Sequence, residues 1–362
     1  MQANLKYNTP EMKNLLALIA LVSLLFWGCK TDFEVNATWK ETTVIYGLLD
    51  QSKAVQMIKI NKAFLGEGDA NNFAQIPDSS NYDPKDLVVT VDETKNGTVL
   101  RTLLFHDSII EGKKPGDFNT SKNIIYVSYA KLDSSKVYKL TVKNIKTGNV
   151  ATATTPLLER VRYSKPTSNY ISFVTSPSTP TTNGTYSDLA TGWVSKPNAK
   201  TYQTNLRFYY IERDTFLHTS TEKYVDWLQS AKQSSDVTGG ETILQNISGL
   251  GFYQMLANEI PENPNVYRHA NRIVLTMTVG SDELNNYINV NSPSGDLNQD
   301  KPTYTNIENG YGVFSSRTSS STIKYICNDT LASGPRICDF TTISLRELVD
   351  GKYTYKLKFQ YH

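Results

Sequence analysis

The chain has 362 residues, a formal net charge of +2 and no basic block, which argues against nucleic acid as a partner. Tyr is abundant at 22, and Ser, Thr and Lys alternate with apolar residues at strand spacing, a composition that suits an all-β exported protein. The four His (His106, His218, His269 and His362) share no metal-ligand spacing, and neither a Gly-x-Ser-x-Gly elbow nor a phosphate-cradling glycine loop is present, so no enzyme is indicated.

An uninterrupted apolar run, Leu15 to Gly28, precedes Cys29. It is shorter than the ~20 residues that span a bilayer, and a small residue sits directly before the Cys. Met12-Lys13-Asn14 supplies the basic start if translation begins at Met12. Residues 1–28 therefore read as a lipoprotein signal peptide, Cys29 as the lipidated residue and 29–41 as the tether, which implies a protein held to a membrane face by acyl chains. With Cys29 given to lipid, Cys327 and Cys338 remain, and an oxidising compartment predicts a disulfide between them. Closing the short loop Asn328 to Ile337 is worth about 2 to 3 kcal/mol on the chain-entropy account.

Strands follow the tether in order. Thr42 to Leu49 and Val55 to Asn61 flank the hairpin connection Asp50 to Lys53, and the outer face of the second strand carries apolar residues as well as Lys. Ala63 to Pro84 reads as a long polar loop. Leu87 to Asp92 and Val99 to Phe105 are joined by the Asn96-Gly97 turn signal. Asn123 to Ser128, then Tyr138 to Val142, then Val150 to Thr155 complete the set, and Leu132 six residues before Tyr138 has the spacing of a tyrosine corner. This pattern predicts an immunoglobulin- or fibronectin-like β-sandwich over 42–156.

Beyond Pro156 a second β-rich domain with a few short helices is expected over 157–362. Tyr202 to Glu212 and Arg272 to Val279 read as strands. Thr219-Ser-Thr-Glu222 has capping-box spacing and predicts a helix carrying Tyr224, Trp227, Leu228 and Ala231 on one face. Further helices are expected near Leu250 to Asn258, from Ser281, and from the capping box Ser344 to Glu347. Lys352 to Tyr361 alternates well enough to read as a strand, with Tyr353, Tyr355, Leu357, Phe359 and Tyr361 on one face.

Tyr304 to Ser316 contains Asn306-Ile, Asn309-Gly and the run Tyr311-Gly-Val-Phe314. With Tyr46 to Asp50, and with the strand, short Ser-initiated helix and Pro-bearing loop over Arg272 to Pro302, it resembles a family of Bacteroidota outer-membrane lipoproteins of unknown function. Asp32 and Glu34 soon after Cys29 resemble the acidic export signals of such lipoproteins and imply exposure at the cell surface, with the periplasmic leaflet as the alternative. Members are often found beside TonB-dependent transporters, so the resemblance implies an accessory subunit of an outer-membrane β-barrel complex for transport, secretion or assembly. The alternative is a stand-alone glycan- or ligand-binding lipoprotein, for which Trp193, Trp227 and the many Tyr are candidate platforms. Asp296, Asn298 and Asp300 place oxygen ligands at alternating positions, a calcium-loop candidate without the usual Gly and bidentate Glu. Glu67, Asp69 and Asn71 alternate similarly.

Overall fold

The computed structural model describes residues 42–63, 75–112, 114, 116, 123–176, 185–292, 303–324 and 342–361. The first half is β1 (Thr43–Leu49), β2 (Gln56–Lys62), α1 (Pro77–Ser80), β3 (Leu87–Lys95), β4 (Thr98–Ile109), β5 (Ile124–Ser128), β6 (Val137–Asn144) and β7 (Val150–Pro156). The second half holds strands β8 (Tyr163–Lys165), β9 (Val174–Ser176), β10 (Thr185–Tyr186), β11 (Leu189–Val194), β12 (Ala199–Asp214), β13 (Ser220–Leu228), β14 (Lys232–Gln233) and β15 (Thr242–Ile247). It ends with α2 (Gly249–Glu259), β16 (Val266–Ser281), α3 (Asp282–Asn291), β17 (Gly310–Lys324) and α4 (Thr342–Asp350). The protein is mainly β, and its first half is a β-sandwich.

Strand β4 serves both layers of the sandwich. Its first part pairs with β3 through Phe105, and its last part, His106 to Ile109, pairs with β5. Alternation along β1, β2, β3 and β6 points Ile45, Leu49, Ile58, Ile60, Val89, Val91, Leu140 and Val142 into one shared core. The β3–β4 turn is the expected Asn-Gly pair, with Asn96 and Gly97 both at positive φ (50° and 80°), the two-residue geometry that matches strand twist. Tyr138 is fully buried, and its hydroxyl accepts the Asp133 N–H at 2.8 Å and donates to Glu93 at 2.9 Å. The tyrosine corner anticipated from Leu132 and Tyr138 is therefore formed, and Arg101 neutralises Glu93 at 2.7 Å.

The sandwich is completed from far along the chain. Gly310 to Ser316 of β17 pairs in parallel with all of β1, and Glu308 exchanges backbone hydrogen bonds with Thr152 of β7. From Arg317 onward β17 turns to a new partner and pairs antiparallel with β16. Gly312 makes the close approach to β1 feasible: its φ is +107° and a Cβ there would lie 2.0 Å from the Ile45 carbonyl oxygen. Asn309 enters the strand in the left-handed region at φ 56°. The motif Tyr304 to Ser316 is thus a joint between the two halves.

The second half packs β12, β13 and β16 over α2, α4 and the chain end. Phe208, Leu206, Leu275, Phe252, Leu256, Leu345 and Phe359 share one core, and Trp193, Tyr202, Met277 and Val279 form another beneath β11. Ser281 caps α3 by accepting the Leu284 N–H, as its place at the start of the expected helix suggests, and Ser248 caps α2 by accepting the Gly251 N–H.

Three local expectations are overturned. Ser220 to Leu228 is strand rather than helix: β13 pairs with β12 over Asn205↔Leu228 to Arg213↔Ser220, and a long ladder that takes in Thr221, Tyr224, Val225 and Trp227 outweighs a capping signal. Its Val225 faces the core while Tyr224 and Leu228 stay exposed. Helix α4 begins two residues before Ser344, whose hydroxyl accepts the Phe173 N–H at 2.9 Å instead of capping. Lys352 to Tyr361 is not a strand. Tyr355–Leu357 is a 3-10 turn, Lys358 adopts φ 59°, and strand pairing with β16 is limited to a bridge between Arg268 and Phe359. Burying Leu357 and Phe359 while Tyr355 stays exposed requires that turn.

Candidate functional site

The outer face of the β17–β1–β2 ladder carries a cleft. Because side chains alternate, the inward set of β1 (Ile45, Leu49) leaves Tyr46 and Leu48 facing out; β2 adds Met57, and Val55 just before it joins them. Helix α3 packs over the β17 side of this face through Leu284, Tyr287 and Ile288 and covers Val313. On the β2 side the face stays open. The resulting cavity has a volume of about 700 Å³, within the range of ordinary small-ligand sites. Tyr46, Met57 and Ile288 are 43%, 49% and 48% exposed. Tyr46 meets Tyr287 edge-on at 6.0 Å, and burial first, then the Tyr46 hydroxyl, raises the Tyr287 hydroxyl to about 12, so it stays protonated at neutral pH.

Charged groups close one end. Asp50 is 1% exposed; its Oδ1 accepts from the Ser52 N–H and hydroxyl, at 2.9 and 2.5 Å. Its Oδ2 accepts no hydrogen bond among the described residues, with Arg317 Nε 3.6 Å away. Gln56 fixes this corner by a reciprocal pair with the Asp50 backbone, both bonds at 2.9 Å. Lys53 and Arg317 bring two cations to the same end. No described group of three or more His, Cys, Asp or Glu residues is arranged to hold a metal ion.

No family model matches the chain, and no curated protein matches it. Among the described residues, no helix is long and apolar enough to cross a membrane.

A second feature lies on the β13 edge of the long sheet. The β12–β13 hairpin ends in Phe216 and Leu217, 74% and 73% exposed. This tip is held in one shape. Asp214 Oδ1 accepts both the Phe216 and Leu217 N–H groups at 2.8 Å, and Thr215 donates its N–H and its hydroxyl to the Asn265 carbonyl. Those two N–H groups, Leu217 foremost, hold the Asp214 carboxyl below its ordinary value.

Neither tryptophan suggested by the sequence as an aromatic platform stands free on the surface. Trp193 is fully buried, and Trp227 packs against the core. The outward Tyr209 and Tyr224 rings carry the Arg272 and Arg207 guanidinium groups on their faces at 3.9 and 4.0 Å, each neutralised by Glu222 or Asp226. Cys29, Cys327, Cys338, Asp296, Asn298, Asp300 and the Glu67–Asn71 alternation lie outside the described residues. Tyr46 and Asp50 stand in a stretch the sequence marks through a family resemblance, but Met57 and Arg317 were not singled out as site residues. The one hint was the mixed outer face of β2.

Proposed function

We propose that this protein is a non-enzymatic, cell-surface lipoprotein of the outer membrane that serves as the accessory subunit of an outer-membrane β-barrel, such as a TonB-dependent transporter or an assembly or secretion machine. The observation that carries the reading is the rigid Phe216–Leu217 tip. Two adjacent large apolar side chains left in water on a fixed turn mark an interaction site. Thr43, next to the tether, pairs with the first residue of β17, whereas the tip lies past the end of β17 along β16. The strand path between them is on the order of 70 Å. A lipid on Cys29 would tie the chain to the membrane ahead of β1 in sequence, and the tip is the surface offered to the loops of a neighbouring barrel. Support for the barrel as partner comes from the resemblance carried by Tyr304 to Ser316. The same reading has Cys327 and Cys338 joined as a disulfide, so that thiol alkylation under denaturing, non-reducing conditions labels neither.

The test is affinity purification of the tagged full-length protein from gently solubilised outer membrane, followed by mass spectrometry. The wild type recovers a stoichiometric barrel protein, and a variant carrying Phe216→Asp and Leu217→Asp recovers none. A wild-type protein isolated alone, or a double variant that still holds the barrel, overturns the docking assignment. Loss of palmitate labelling in Cys29→Ala checks the anchor separately.

A further inference from the structure

We propose that the cleft over Tyr46 and Met57 binds a short apolar peptide segment, clasped through one of its amide units between Asp50 and Arg317. This site is independent of the hairpin tip and of any barrel.

The argument begins with an unmet acceptor. Asp50 is a carboxylate withdrawn from water, with one oxygen saturated by Ser52 and the other without a hydrogen-bond donor. The 3.6 Å separation from Arg317 Nε is too long for a hydrogen bond. A buried acceptor left unpaired carries a desolvation cost that a donor arriving with a ligand removes. Arg317, 44% exposed at its side chain, has N–H groups with no acceptor among the described residues. Donor and acceptor therefore stand side by side at the end of an apolar floor.

Charge decides among ligand classes. A cationic amine would satisfy Asp50 but meet Arg317 and Lys53. An anion would satisfy the cations but lie against the unpaired Asp50 oxygen. A neutral amide suits both: its carbonyl accepts from Arg317, and its N–H goes to Asp50 Oδ2, which is buried and is reached once the neighbouring guanidinium shifts toward that carbonyl. The rest of the cleft is Tyr46, Leu48, Met57, Tyr287 and Ile288, a surface for aliphatic or aromatic side chains in which Met adapts to shape. Its volume of about 700 Å³ suits a few residues rather than a folded partner.

The experiment is calorimetric titration of the full-length protein in lipid nanodiscs with N-acetyl-Phe-Leu-Phe-amide, which has no charged ends. Saturable one-to-one binding with Kd below about 1 mM is expected. Met57→Glu, a change at an exposed position that leaves the thermal midpoint in place, weakens binding at least tenfold. Asp50→Asn, which turns the unpaired acceptor into a donor, does the same. Absence of saturable binding by the wild type overturns the proposal. So does unchanged affinity in Met57→Glu, which would put the peptide elsewhere, and so does equal or tighter binding of phenylalaninamide, a cationic amine.

Discussion

The side chain of Asn306 hydrogen-bonds twice to the main chain of Phe314, accepting its N–H at 3.0 Å and donating to its carbonyl at 2.7 Å. It does for β17 what a neighbouring strand would do, on the side opposite β1, and Phe314 is fully buried in the sandwich core. Asn306→Ala leaves two main-chain groups unpaired and lowers stability by about 2 kcal/mol, read as a fall in the urea midpoint. Asn306→Asp keeps the acceptor and loses the donor, and is expected to cost at least as much.

Gly312 and Gly240 share a positive φ, 107° and 90°, but differ in surroundings. A Cβ at Gly240 meets nothing within 4 Å, whereas at Gly312 it strikes the Ile45 carbonyl. Gly240→Ala then costs only backbone strain, about 1 kcal/mol. Gly312→Ala breaks the parallel β1–β17 pairing and leaves little folded protein. Parallel thermal melts of the two variants check the contrast.

Arg268 is 1% exposed, and its guanidinium donates to Glu212, to the Leu357 carbonyl and to the Pro261 carbonyl at 2.6 to 3.0 Å. Burial alone would push the Glu212 carboxyl up, but hydrogen bonds from Lys223 and Arg268 outweigh it and hold the group below its ordinary value of 4.5. A carboxyl depressed in the folded state stabilises fully above about pH 4.5, and that contribution is lost as pH falls through the lowered folded value. Glu212→Gln strands a buried cation, costs about 3 kcal/mol at neutral pH and makes the acid limb of the stability curve shallower. Chemical denaturation at a series of pH values between neutrality and 3 reads both effects.

At the hairpin tip, fold and binding are expected to separate. Phe216→Asp with Leu217→Asp changes stability by less than about 0.5 kcal/mol, since both side chains lie in water. Asp214→Ala keeps both apolar side chains but releases the two N–H groups that fix the turn. It is expected to weaken capture of the barrel while the melting curve stays in place.

Much of the architecture was legible where the signal is local. Asn96-Gly97 specifies a turn by backbone chirality, Ser281 caps by its own hydroxyl, and Leu132 with Tyr138 reports a corner closed within six residues. Thr219 to Leu228 misled because its short-range capping spacing competes with a ladder to β12 that the local pattern does not display. Lys352 to Tyr361 misled for a related reason, because its alternation is cut by Lys358 in the left-handed region. The cleft was illegible for a stronger one. Its walls come from β1 and β2, from α3 and from β17, brought together by a parallel pairing over more than two hundred residues of chain, and neither strand carries a mark that names its partner.

That shared strand also sets an order of events during synthesis. β1 to β7 leave the ribosome, and any export channel, well before Gly310 to Ser316 is made, so the main-chain edge of β1 must wait unpaired until nearly the whole polypeptide has emerged. Long-range closure of this kind is slow and leaves a strand edge open to other chains. A molecule cut anywhere before Gly310 would keep that edge permanently, and its fate would be aggregation or a chaperone's grip.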